Sequence, residues 1–143
     1  MAEWTAFALG SACFAGLTAI LAKIGVEGIP SNLATLIRTA VIFVFVLFVI
    51  SLRREWLQLG QLNGRSVTFL VLSGLTTGLS WLCYYRALQS GPASLVVPLD
   101  KLSIVVALGL AVVVLGERLS AWQWVGASLM SVGAILLACS GSP

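Results

Sequence analysis

Five stretches of this chain, roughly 4–23, 31–52, 66–88, 92–115 and 121–139, are each close to 20 residues long and almost wholly apolar. A helix that crosses the hydrocarbon core of a bilayer needs about 20 such residues. In oil the backbone must satisfy its own polar groups, and helices do so within one segment. The expected fold is therefore an all-α membrane protein with five transmembrane helices. Composition agrees: 59% of the 143 residues are hydrophobic and 9% are charged, against about 25% charged in an ordinary soluble domain. The spans and their short loops account for residues 1–143 as a single transmembrane domain. The first span does not read as a signal peptide. Its early charge is Glu3, with no basic n-region, and its apolar run is too long.

The boundaries carry punctuation. Gly28 and Pro30 precede the second span, and Arg53, Arg54 and Glu55 end it. Asn63-Gly64-Arg65 leads into the third. Gly91-Pro92 opens the fourth, with proline expected at the first helical position, where its missing N–H costs nothing. Gly116 closes that span, and Ser120 with Gln123 has the spacing of a capping box for the fifth. Orientation follows from the basic residues. Arg53, Arg54, Arg65 and Arg118 lie on the side of the N-terminus, against Lys23 and Arg86 on the other. The positive-inside rule puts the N-terminus in the cytoplasm and, with five spans, the C-terminus outside. Trp4, Trp56, Trp122 and Trp124 fall at the same cytoplasmic interface, as an aromatic belt does.

Several chemistries are excluded or disfavoured. Histidine is absent, which removes histidine acid–base catalysis and His-ligated metal. Cys13, Cys83 and Cys139 are far apart in apolar segments, without metal-ligand spacing, and read as packing residues. No nucleophile–base pair stands out, so an enzyme is not expected, nor a metal or other cofactor. The net charge of +3 is scattered over helix ends, so no nucleic-acid partner is expected.

The informative residues are the charged ones inside the oil. The stretch VVPLDKLS, residues 96–103, puts Pro98, Asp100 and Lys101 together within an apolar span. Asp100 lies about 12 Å deep at 1.5 Å per residue, and a charge at that depth is a functional-site hypothesis by default. On a regular helix Asp100 shares a stripe with Ala93, Val96, Ser103, Ala107 and Ala111, so it should face the bundle interior. Lys101 points about 100° away, and adjacent helix positions do not face each other, so the two are not expected to pair. Pro98 frees the carbonyl of Ser94, which Lys101 or water could satisfy. A kinked helix lining a wet cavity is the functional reading; a structural kink with a buried pair is the plain one.

Arg38 lies about 10 Å into the second span and could pair with Asp100 or bind an anionic group. Lys23 continues the Ala12, Gly16, Ala19 stripe and either faces inward or snorkels to the interface. Arg86 follows a leucine face and is expected to snorkel. Trp81 and Tyr85 follow the Gly74–Gly78 face and could line a pocket. Small residues mark expected helix contacts: Ala8, Ala12 and Gly16 on the first span, Gly74 and Gly78 on the third, Ala127 and Ser131 on the fifth.

One ordered set of features resembles a known family. YRAL at 85–88, GPAS at 91–94, Pro98, LGERLS at 115–120 and WVGASLMSVGAILL at 124–137 are similar to the EamA domain of the drug/metabolite transporter superfamily. Lys23 and NLATLIR at 32–38 fit as well. The chain looks like the single-domain, five-helix bacterial branch. The resemblance implies a multi-pass protein of the bacterial inner membrane that moves small metabolites, and leaves the substrate open. The expected function is a secondary transporter, specifically an exporter, working by alternating access beside the kinked fourth helix. Asp100, Lys101, Pro98, Ser103, Arg38, Lys23, Trp81 and Tyr85 are the candidate substrate or coupling residues. The alternatives are a small multidrug-type proton-coupled exchanger, with the proton on Asp100, and a non-transporting membrane scaffold or accessory subunit. Two-domain relatives pair inverted halves. A homodimer through the small faces of helices 1, 3 or 5 is expected, with antiparallel pairing slightly ahead of parallel.

Overall fold

The computed structural model describes residues 3–140. Its elements are α1 (Glu3–Gly25), α2 (Ser31–Arg53), a 3-10 helix (Glu55–Gln61), α3 (Gly64–Ser90), α4 (Ala93–Asp100), α5 (Ser103–Leu115) and α6 (Ala121–Ser140). Five stretches are long and apolar enough to cross a membrane, with α4 and α5 together forming the fourth. All five expected spans are present, their ends moved by one or two residues. The 3-10 helix was not expected. It follows Arg54, which ends α2 in the left-handed region at φ 55°.

Local chemistry explains the helix ends. The Asn63 side chain accepts the Arg65 amide at 3.0 Å and so caps α3. Pro92 is the residue before α4 rather than its first helical residue. Its ψ of 142° is extended, while its carbonyl accepts the Leu95 and Val96 amides. Gly116 stops α5 at φ +69°, where a Cβ would strain the backbone, and the Glu117 amide returns to the Ala111 carbonyl at 3.1 Å. The capping box of α6 is reciprocal: the Ser120 amide donates to Gln123 Oε1 at 2.7 Å, and the Gln123 amide to Ser120 Oγ at 3.4 Å. Ser120→Ala should therefore lower stability by about 1 kcal/mol, read as an earlier thermal midpoint in detergent.

By packing, the chain divides into two units. One joins the stretch ending at Leu21 to the stretch beginning at Ser90, and the other is Ala22–Gln89. In the first unit α6 packs along α4 and α5. Ala127 and Ala134 are buried and Ser131 is half-buried, with its hydroxyl donating to the Ala127 carbonyl at 2.8 Å. Small side chains at this spacing let helix backbones approach closely, so the expected contact face on the fifth span is real. The small faces of the first and third spans are not packed in this chain. Ala8 and Ala12 are exposed, and among the described residues nothing lies within 4 Å of a Cβ placed on Gly16, Gly74 or Gly78. The cysteines likewise sit on the exposed surface rather than in packed positions.

The second unit gathers the end of α1, the start of α2 and the end of α3. Its buried residues are Ala22, Val26, Ser31, Ala34, Thr35, Tyr85 and Leu88, with Leu88 wholly covered. Gly28 turns the chain between α1 and α2 at φ +77°. Two side chains tie that turn to the end of α3. Lys23 Nζ donates to the Leu88 carbonyl at 2.6 Å, and Gln89 Nε2 donates to the Ile29 carbonyl at 2.6 Å.

Candidate functional site

The candidate residues fall into two clusters, one in each unit. The first is the break between α4 and α5. Proline has no N–H to continue the ladder, and just beyond Pro98 the bonding changes register. The Lys101 amide bonds the Pro98 carbonyl, Leu102 bonds Leu99, Ile104 bonds Lys101 and Val105 bonds Leu102, all at 3.0–3.1 Å and all three residues back. A helix keeps four-back bonds, so this is a short 3-10 passage in mid-span. It is a sharper interruption than the kink expected.

Two expectations fail at this break. Lys101 Nζ lies 3.2 Å from Asp100 Oδ2, so the adjacent residues do pair. On a regular helix adjacent side chains diverge by about 100° and do not face each other. At the break Lys101 has ψ near −10°, and its long stem folds back onto its neighbour rather than to Ser94. The second failure concerns the stripe. Asp100 and Pro98 are half-buried, but Ser103 and Ala107 are exposed. Each residue wound at 3.0 rather than 3.6 per turn adds about 20° of rotation. The half-buried residues of α5 are Ile104, Leu108, Gly109, Ala111 and Val112. Ser103 is displaced from the Asp100 face.

The second cluster forms where α2 passes the C-terminal half of α3. Trp81 and Tyr85 are four residues apart and share a helix face. Arg38 Cζ sits 4.3 Å from the Trp81 ring centroid and 5.7 Å from that of Tyr85, and Arg38 Nη1 donates a long 3.5 Å hydrogen bond to the Tyr85 hydroxyl. Arg38 and Trp81 are half-buried and Tyr85 is buried. Each cation–π contact contributes about 0.5–2 kcal/mol depending on desolvation, against about 2.5–3.5 kcal/mol for an arginine at the centre of a spanning helix. The rings thus offset much of the cost of the charge. They do not occupy the guanidinium edge, whose five N–H donors meet one hydroxyl among the described residues. Arg38 and Asp100 each find partners inside their own unit.

Lys23 is brought to neither cluster centre. It is half-buried at the end of α1, and its bond to Leu88 is a helix-end contact. Arg86 is exposed and lines a shallow cleft of about 390 Å³ with Ser31, Asn32, Leu82 and Cys83. Gln89 was missed by sequence reasoning. Its spacing could have found it, because residue 89 lies four beyond Tyr85 on the Trp81 face.

These two clusters sit in spans that match a known family along nearly their whole length: residues 3–139 fit the EamA-like transporter family. The chain belongs to that family. It is 48% identical over 136 residues to an uncharacterised transporter in the cobO 3' region of a Sinorhizobium species, covering 95% of this chain and 96% of the relative. It is also 34% identical over 74 residues to an uncharacterised protein of Methanocaldococcus jannaschii, covering 52% of this chain and 54% of that protein. No solved structure matches it. Membership makes this EamA protein a multi-pass membrane transporter. The family is one of transporters rather than enzymes.

Proposed function

We propose that this EamA protein is a secondary transporter of small metabolites working in the export direction, with the five spans acting as one transport domain. The reading rests on the broken fourth span. Irregular backbone at membrane depth is tolerated where it is buried in protein or lines a water-filled cavity, and interrupted helices near the midplane are where transporters bind their cargo. Here the break carries the Asp100–Lys101 pair beside Pro98. Such a joint can absorb the backbone change of alternating access, while the pair holds or releases as the cavity changes sides. Arg38, Trp81 and Tyr85 are the proposed substrate contacts. The Lys101 partner of Asp100 weighs against a proton exchanger relying on that carboxylate alone. Counterflow from loaded proteoliposomes tests the proposal. Exchange of labelled metabolite that needs the intact protein is expected, and a protein that binds metabolites without exchanging any would be an accessory subunit instead.

We further propose a bacterial inner-membrane location, a cytoplasmic N-terminus, an external C-terminus and a homodimer, antiparallel slightly ahead of parallel. The bare faces of Gly16, Gly74 and Gly78 support a contact through α1 or α3. The small face of α6 is already used within its own unit. One labelling experiment addresses orientation and pairing together. Cys13, Cys83 and Cys139 are replaced, Gln58→Cys is introduced, and intact cells are treated with an impermeant thiol reagent. Modification of about half the molecules is the expectation for antiparallel copies. Complete protection keeps the orientation and rules out the antiparallel dimer, and complete modification reverses the orientation.

A further inference from the structure

The Arg38 cluster has the chemistry of a specific receptor. Arg38 is a permanent cation held about 10 Å inside a spanning helix, yet no carboxylate pairs with it among the described residues. Its face is covered by Trp81 and Tyr85, and among the described residues its one hydrogen bond is the 3.5 Å contact to the Tyr85 hydroxyl. A tyrosine hydroxyl is a neutral acceptor, so the edge of the guanidinium keeps both its charge and most of its donors. A planar, two-oxygen anion fits that edge, because arginine and carboxylate make two parallel hydrogen bonds. On the helix face that runs from Trp81 toward Gly78 and Gly74, nothing among the described residues lies within 4 Å of a Cβ placed on either glycine. An apolar body attached to the anion can lie there against the indole.

Charge count selects the kind of anion. Arg38 is the cation set against the two rings; Lys23 keeps its charge, but its ammonium is held at the Leu88 carbonyl near the end of α3. A phosphate group brings about −1.5 to −2 charges at neutral pH and would leave a net negative charge at membrane depth. A monocarboxylate is neutralised one to one. We infer that Arg38, Trp81 and Tyr85 bind the carboxylate of a monoanionic organic acid with an apolar or aromatic body. As the cargo of the transporter this rests on the function proposed above; as a binding site it stands on the geometry alone.

The test sorts probes by charge. The purified full-length protein is heated in detergent with benzoate, hexanoate or 3-phenylpropanoate, with the matched neutral benzamide, with benzylamine and with inorganic phosphate, each at tens of millimolar. A ligand that binds the folded form raises its melting temperature. The acids should stabilise the protein, and benzamide, benzylamine and phosphate should not. Arg38→Gln should weaken acid binding roughly tenfold or more, as expected for loss of a charge-assisted pair. Arg38→Lys keeps the charge without the fork and should fall between the two; it also serves if Arg38→Gln does not fold. Trp81→Ala should weaken 3-phenylpropanoate more than it weakens hexanoate. No stabilisation by any acid, equal acid binding by a folded Arg38 variant, or a preference for benzylamine or phosphate overturns the inference. Counterflow with the same panel separates it from the transport reading. Exchange of the amine alone, with no stabilisation by any acid, keeps the transporter and removes the acid site. Arg38-dependent acid binding without exchange keeps the site and removes the acid as cargo.

Discussion

Asp100→Asn and Lys101→Gln will each cut transport per folded molecule by roughly tenfold or more, the worth of a charge-assisted hydrogen bond. The two residues pair at 3.2 Å at the break between α4 and α5, with side chains 37% and 50% exposed. Each single change leaves its partner as a lone charge at membrane depth. The stability cost should be about 1–2 kcal/mol, between that of a surface pair and that of a buried one. The double variant Asp100→Asn/Lys101→Gln removes both charges. It should melt within about 0.5 kcal/mol of wild type, since a neutral pair needs no counter-charge. Transport should nevertheless remain low in the double variant, because the proposed mechanism uses the charges and not merely the fold. Full transport by the double variant would assign the pair to structure. Full transport by either single variant, measured on protein of checked folding, would remove that residue from the mechanism.

The part of this site that sequence reasoning reached, and the part it did not, divide along a physical line. Hydropathy registers burial in oil without needing any partner, so all five spans were legible to within one or two residues. Caps depend on a few neighbouring atoms, and the Ser120–Gln123 box was equally legible. The choice of Pro98, Asp100 and Arg38 as unusual residues also needed only depth and charge. Pairing is different, because it depends on helix phase. A two-residue 3-10 passage after Pro98 rotated Ser103 off the Asp100 face and let Lys101 fold back. No periodicity argument that assumes an unbroken helix can register that. The small stripes show a further limit. Ala127 found a neighbour in its own unit, while Gly16, Gly74 and Gly78 have nothing within 4 Å of a Cβ position among the described residues. Composition on a face says that close approach is possible, not that the chain itself supplies the other side.

Lys23→Met will destabilise the protein by about 2–3 kcal/mol while leaving transport per folded molecule nearly unchanged. The last carbonyls of any helix lack partners within it, and Leu88 belongs to the final turn of α3. Leu88 is wholly covered and Lys23 Nζ reaches its carbonyl at 2.6 Å. An unsatisfied polar group in such a place costs about 1–3 kcal/mol. A cation at a helix C-terminus contributes about 0.3–1 kcal/mol more through the helix dipole. Methionine keeps the length and packing of the lysine stem and supplies neither. Lys23→Arg keeps the charge and a donor, so it should lose less than half as much. Gln89→Leu, which removes the 2.6 Å bond to Ile29, should destabilise in the same direction, because both side chains fasten the α1–α2 turn to α3. The deciding measurement is melting and counterflow on the same preparation. A Lys23→Met protein that melts like wild type but no longer transports would show that this lysine acts on the cargo rather than on the helix end.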